Sequence, residues 1–149
     1  MDADLSHLPT QLHRFLNSNN QADFIIGTRW GIGSCNYKGV RKVLSYSANR
    51  IARIILGTGL TEYTSSYRSF SPKALSTLRD NPPRIDNYGF FIETIAILFH
   101  EKISLSEVPI DFHDRTIGTS KIPGNQIFVS ALLLLKIGLS RMRNFSHRK

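Results

Sequence analysis

Two carboxylates stand at the start of the chain with one residue between them, Asp2 and Asp4. In an extended segment, side chains two apart point the same way. Two carboxylates on one side make a hard-oxygen site for Mg²⁺ or Mn²⁺, an ion commonly shared with substrate phosphates. The bland alternative is a solvated acidic terminus, because D-x-D is a short pattern. Arginines form a second set: Arg29 after a strand-like run, Arg41 at the opening of a long helix, and Arg115 in a late loop. Each presents a fork that grips phosphate in two places, and Ser45 and Lys121 add further donors. Taken one at a time, such residues are also ordinary surface cations. Strand ends and loops are nevertheless where α/β folds put ligands.

Other chemistries find less support. His7, His13, His100, His113 and His147 lack the spacing of a metal site, and the single Cys35 rules out an internal disulfide or a cysteine zinc cluster. Ser65 and Ser66 are not in a G-x-S-x-G elbow. Gly31-Ile32-Gly33 lacks the third glycine of a dinucleotide fingerprint.

The elements that must position these residues alternate along 149 residues, enough for a single hydrophobic core. The spacing predicts a helix through Leu8, Leu12, Phe15 and Leu16, then a buried strand over 22–28. A glycine-rich loop over 30–39 leads into a long helix over 40–56. That helix carries Val43, Leu44, Ser47, Ile51, Ile54 and Ile55 on one side and Arg41, Lys42, Arg50 and Arg53 mostly elsewhere. Gly57 and Gly59 stop it. Residues 63–70 read as irregular, 72–78 and 90–100 as helices, and 104–112 as a strand whose Pro109 argues for a sheet edge. A polar loop over 114–124 precedes a last helix over 127–142 and a basic tail.

The fold class is therefore α/β with few strands. The net charge of +8 favours polyanions such as phosphorylated substrates or anionic lipid. No aromatic-basic interleaving or recognised module points to nucleic acid. The start of the chain has no basic and apolar leader pattern, so the expected setting is cytoplasmic. The final helix is apolar with Lys136, Arg141 and Arg143 at its end, which suits either an interfacial helix or a core helix.

Several segments together resemble the polyprenyl-phosphate glycosyltransferases of family 2, typified by dolichol-phosphate mannose synthase. MDADLSH (1–7) is similar to the family's metal-binding D-x-D segment, and FIIGTRW (24–30) to its strand and following arginine. LSYSANRIAR (44–53) is similar to the helix after the acceptor loop, and TSSYRSF (64–70) to T-S-G-F-R-x-F. EVPI (107–110) with DRTIGTSK (114–121) is similar to the ending E-V-P-I … D-R-x-x-G-x-S-K. Ser66 stands where the family has glycine, and Phe91 where it commonly has glutamine.

The resemblance implies a C-terminal part of a GT-A-like, Rossmann-type sheet, with the N-terminal nucleotide-binding half absent. Residues 1–126 would be the metal and acceptor part of the catalytic domain, and 127–149 an amphipathic helix with a basic tail. Asp2, Asp4 and Ser6 would hold the divalent metal. Asp4 and Arg115 would be catalytic. Arg29, Arg41, Ser45, Arg115 and Lys121 would hold donor and acceptor phosphates. The reaction would move a hexose, mannose or glucose, from a nucleotide-sugar to a polyprenyl phosphate at the cytoplasmic face of a membrane. Expected partners are the donor, the lipid acceptor, the membrane surface and an N-terminal half or partner subunit. The competing reading is a non-catalytic remnant or accessory subunit that binds anionic membrane or a partner chain.

Overall fold

The structure, a computed structural model, describes residues 6–18, 22–37, 39–85 and 88–113. Asp2, Asp4, Arg115 and Lys121 lie outside the described residues, as do the boundary at 126/127 and the helix and tail expected beyond it. The side chain of Arg41 is likewise not described.

The described residues form a mixed α/β unit around a small mixed sheet. A 3₁₀ turn at Pro9–Gln11 runs into helix α1, Leu12–Ser18. Strand β1, Phe24–Thr28, is buried at every position because it is the middle strand of three. It pairs antiparallel with β3, Arg68–Phe70, and parallel with β4, Leu105–Pro109. Pro109 is the last residue of a strand at the sheet's edge, as its missing N–H requires. The single strand expected over 104–112 breaks at Ile110. Its second piece, β5, Asp111–Phe112, leaves this sheet and pairs with the two-residue β2, Ser34–Cys35.

Alternation along β1 divides the core. Phe24 and Ile26 face one cluster with Leu56, Tyr63, Ile95 and Leu98, while Ile25 faces another with Phe15, Tyr67, Val108 and Ile110. Helices α3, Pro72–Asp80, and α4, Tyr88–His100, cover the first face, and α1 covers the second. The Ser71 hydroxyl caps α3 by accepting the Ala74 N–H at 3.1 Å, with Pro72 in its first turn.

Helix α2, Gly39–Leu56, departs from the usual arrangement. Its buried residues are Asn49, Ala52 and Leu56 near its end, where Gly57 at φ 63° closes it. The apolar side read from the sequence faces outward instead. Val43 is 64% exposed and Ile54 74%, and Val40, Leu44 and Ile51 on the same stripe are also exposed.

The glycine loop after β1 turns tightly. A Cβ on Gly33 would lie 1.8 Å from the Thr28 carbonyl oxygen, a main-chain atom that no side-chain rotation relieves. Gly33→Ala is expected to lower stability by about 2 kcal/mol or more, the scale of overpacking in a closed site. A thermal melt against the unsubstituted chain measures it.

Candidate functional site

Ligands of open α/β sheets gather at the carboxyl ends of the strands. At that end β1 runs out into Thr28, Arg29 and Trp30, and β4 runs out toward Phe112. The Thr28 hydroxyl accepts the Trp30 N–H at 3.0 Å and lies 2.8 Å from the Thr61 hydroxyl. These contacts hold the start of the loop against the segment from Thr61 to Ser65.

That segment is organised by two carboxylates. Glu107, on β4, accepts the backbone N–H of Thr61 at 2.6 Å and of Glu62 at 2.8 Å, together with the Thr61 hydroxyl. Glu62 is fully buried, and its Oε1 accepts the N–H groups of Tyr63, Thr64 and Ser65 at 2.9–3.1 Å. Five consecutive amides thus point at two acidic side chains. The Tyr63 N–H is shared with Asn49 Oδ1 of α2 at 2.7 Å, which ties that helix to the same segment.

Glu62 also receives Arg29. Arg29 Nε donates to Oε2 at 2.8 Å and Nη2 to Oε1 at 2.9 Å, a two-point ion pair with both partners out of water. Burial alone would push the Glu62 carboxyl up. The Arg29 guanidinium and the Thr64 donors more than reverse this, and its pKa lies below the ordinary carboxylate value. Glu107 shifts the other way, because its own burial outweighs the amides it accepts.

Arg68, the arginine of TSSYRSF, is held by carbonyls alone. Its nitrogens donate to Ser65, Phe91 and Tyr63 oxygens at 2.7–3.0 Å. Burial pushes its pKa down to about 9, with the Glu62 charge opposing. Ser66 is not in the left-handed region, so the turn here works without the family's glycine. Glu93 accepts the N–H groups of Arg84 and Ile85 and pins the loop before α4.

The described part of the D-x-D segment reaches the same end of the sheet. Ser6 is buried, its carbonyl accepts the His113 N–H at 3.2 Å, and the His7 ring sits 5.2 Å from Phe112 edge-on. Arg29 Cζ lies 5.0 Å over the other side of this neighbourhood, on the same Phe112 ring. His7, the residue after Ser6, and Arg29 therefore share one aromatic neighbour. Below them Asp111 accepts Ser34 Oγ at 2.7 Å and Arg14 Nη2 at 3.3 Å. The Ser34 hydrogen bond, followed by Arg14, holds the Asp111 carboxyl below its usual range.

Ser45 is half-buried on α2, and its carbonyl accepts Asn49 Nδ2. Its neighbour Tyr46 packs edge-on against Trp30, with ring centroids 5.5 Å apart. The structure thus brings Arg29, His7 next to Ser6, and Tyr46 next to Ser45 to the rings of Trp30, Tyr37 and Phe112. Among the described residues, no group of three or more His, Cys, Asp or Glu side chains could hold a metal ion. The two-point edge of Arg29 is taken by Glu62, so it has no fork left for a phosphate. Glu62, Glu107 and Arg68 carry this arrangement, and sequence reasoning gave none of them a role at the site. Only the motif strings TSSYRSF and EVPI marked two of them.

No family model matches the chain. It is similar to the undecaprenyl-phosphate mannosyltransferase of Micrococcus luteus, 32% identical over 142 residues, covering 94% of this chain and 58% of that protein. It is also similar to the polyprenol monophosphomannose synthase of Mycolicibacterium smegmatis, 35% identical over 130 residues, covering 85% of this chain and 49% of that protein. Both matches fall on the C-terminal part of the relative, and the chain spans about half the length of the curated relatives it matches.

Proposed function

We infer that this chain is the C-terminal part of a polyprenyl-phosphate glycosyltransferase with a GT-A-like catalytic domain, moving mannose from a nucleotide-sugar to a polyprenyl phosphate. The observation that carries this reading is the similarity over 94% of the chain to a protein named for that transfer. In the reaction, a phosphate oxygen of the lipid attacks the anomeric carbon of the donor sugar. The bond to the nucleoside diphosphate breaks with inversion, and the diphosphate leaves with the electron pair. A lipid phosphate is already anionic at neutral pH, so the attack needs no strong base.

Asp2 and Asp4 with Ser6 offer two carboxylates and a hydroxyl, a donor set that fits Mg²⁺ or Mn²⁺. When bound, the ion supplies positive charge beside the donor diphosphate. Arg41, Ser45, Arg115 and Lys121 are the proposed phosphate contacts, and Arg29 adds one N–H. Asp4 and Arg115 are the proposed catalytic pair.

The membrane supplies the acceptor, and α2 is the described element suited to meet it at the cytoplasmic face. Its exposed apolar stripe is flanked by Lys42, Arg50 and Arg53, a pattern that complements anionic headgroups. Among the described residues no helix is long and apolar enough to cross a membrane. Val43→Glu with Ile54→Glu is expected to cut co-sedimentation with vesicles containing phosphatidylglycerol at least severalfold. The thermal midpoint should barely move, since both side chains are already exposed. Unchanged vesicle binding would remove α2 from the membrane contact.

The reading as a whole is tested by joining this chain to the preceding half of the Micrococcus luteus relative. That protein is supplied with nucleoside-diphosphate mannose and undecaprenyl phosphate. Mannosyl lipid, found by mass spectrometry and suppressed by a chelator, is the expected product. Absence of product, with the relative's own two halves active when joined in the same way, would overturn the reading.

A further inference from the structure

The aromatic cluster at the end of β1 contains two donors without acceptors. Trp30 is 7% exposed, and its indole Nε1 is sealed from water with no hydrogen-bond partner among the described residues. Arg29 directs four of its five N–H bonds to Glu62, Thr64 and Tyr37. The fifth, on Nη1, has no partner among the described residues. Both side chains border the same group of rings, Trp30, Tyr37 and Phe112, with Arg29 Cζ 5.0 Å from the Phe112 centroid. A buried N–H left unmade is costly, and native proteins pair nearly all of them. Two such donors beside one cluster, with no described acceptor to meet them, ask for a ligand that only accepts and is negatively charged.

We propose that Trp30 is a ligand-binding and specificity residue whose indole N–H, with the Arg29 Nη1–H, receives a phosphate oxygen of the acceptor. This rests on the transferase reading and deepens it by naming a contact to the lipid phosphate. The indole also explains why Arg29 can be committed to Glu62. With the two-point edge of the guanidinium occupied, Arg29 offers the phosphate a single N–H, and Trp30 supplies the second point. Binding requires the cover over Nε1 to part. Trp30 opens a loop with glycines at 31 and 33, the first at φ 66°, and packs on Tyr46 of a helix whose first half buries no described side chain. An N–H donor pair favours the anionic oxygen of a phosphate monoester over the hydroxyl of the corresponding alcohol.

Trp30 is the only tryptophan of the chain, so its emission reads this contact directly. The chain is titrated in detergent micelles with farnesyl phosphate, farnesol and inorganic phosphate. A saturable shift in emission with farnesyl phosphate but not farnesol is expected. A response confined to farnesyl phosphate assigns the site to the lipid phosphate, and an equal response to inorganic phosphate assigns it to phosphate from any source. No response, or equal responses to farnesyl phosphate and farnesol, would overturn the proposal.

Trp30→Phe keeps most of the ring and removes the N–H. Followed by ³¹P NMR, it is expected to bind farnesyl phosphate roughly tenfold to a hundredfold more weakly, the worth of one hydrogen bond to a charged group. Its thermal midpoint should hold or rise, because an unpaired donor has been removed. Unchanged affinity in a folded Trp30→Phe would also sink the idea. Should that variant melt early, the emission titration of the unsubstituted chain decides alone. Failure here leaves sugar transfer by the joined protein intact, and failure of transfer leaves this binding measurement standing.

Discussion

Glu62→Gln lowers the stability of the chain by about 3–5 kcal/mol in urea unfolding, the cost of stranding a buried partner charge. Glutamine fits the space, so the loss is electrostatic. It removes the counter-charge of the buried Arg29 and a negative charge that favours the charged form of the half-buried Arg68. It also replaces a carboxylate oxygen that accepts three successive amides by a weaker amide oxygen. Glu107→Gln provides the contrast. The described partners of Glu107 are backbone amides and the Thr61 hydroxyl, with no cation among them, and burial already disfavours its charge. Its loss is expected to stay near about 1 kcal/mol, the scale of a modified hydrogen bond. Equal losses for the two variants would refute the assignment of Glu62 as the charge that matters.

The same pair fixes the acid response. Because the folded-state pKa of Glu62 lies below its ordinary 4.5, its contribution is present above pH 4.5 and is lost as pH falls through the lower folded value. Glu107 has the opposite sign: its raised pKa contributes below 4.5 and fades as pH climbs through the folded value. Glu62→Gln should therefore flatten the loss of stability on the acid side of 4.5, while Glu107→Gln should remove the decline that Glu107 causes as pH climbs above 4.5.

Asp4→Asn in the joined protein is expected to reduce kcat for mannosyl transfer by roughly a thousandfold, equivalent to several kcal/mol of lost charge stabilisation. Asparagine keeps an oxygen of similar reach but withdraws one of the two charges proposed to hold the cation. Manganese titration followed by electron paramagnetic resonance should show the affinity falling with the rate. Full activity in this variant would end the metal assignment for Asp2 and Asp4. Retained metal affinity with lost activity would shift the role of Asp4 to positioning.

Much of the scaffold was legible from periodicity alone. The runs giving β1, α2, α3 and α4 are long or punctuated by Pro and Gly, and they fold where the pattern puts them. Strands β2 and β3, two and three residues long, were not, because so short a run shows no period and exists only through its partner. The orientation of α2 was also hidden. A stripe of Val, Leu and Ile reads the same whether it meets a core or a bilayer, and the chain here buries the opposite side through Asn49, Ala52 and Leu56.

At the site, Arg29 stood out as a strand-end cation, but its partner Glu62 lies 33 residues away. Nothing in a polar-aromatic stretch announces a carboxylate withdrawn wholly from water. Trp30 escaped notice for a related reason, since an indole in a glycine loop reads as packing until its N–H is found without an acceptor.

Surface connections usually gain and lose residues freely as sequences diverge. The stretch from Thr61 to Ser65 is a connection without strand or helix, yet each of its amides is assigned to a particular acidic oxygen. One inserted residue would move every later amide off its acceptor and carry Glu62 away from Arg29. Descendants of this sequence can exchange side chains here, but the number of residues between Leu60 and Ser66 is held as firmly as the length of a core strand.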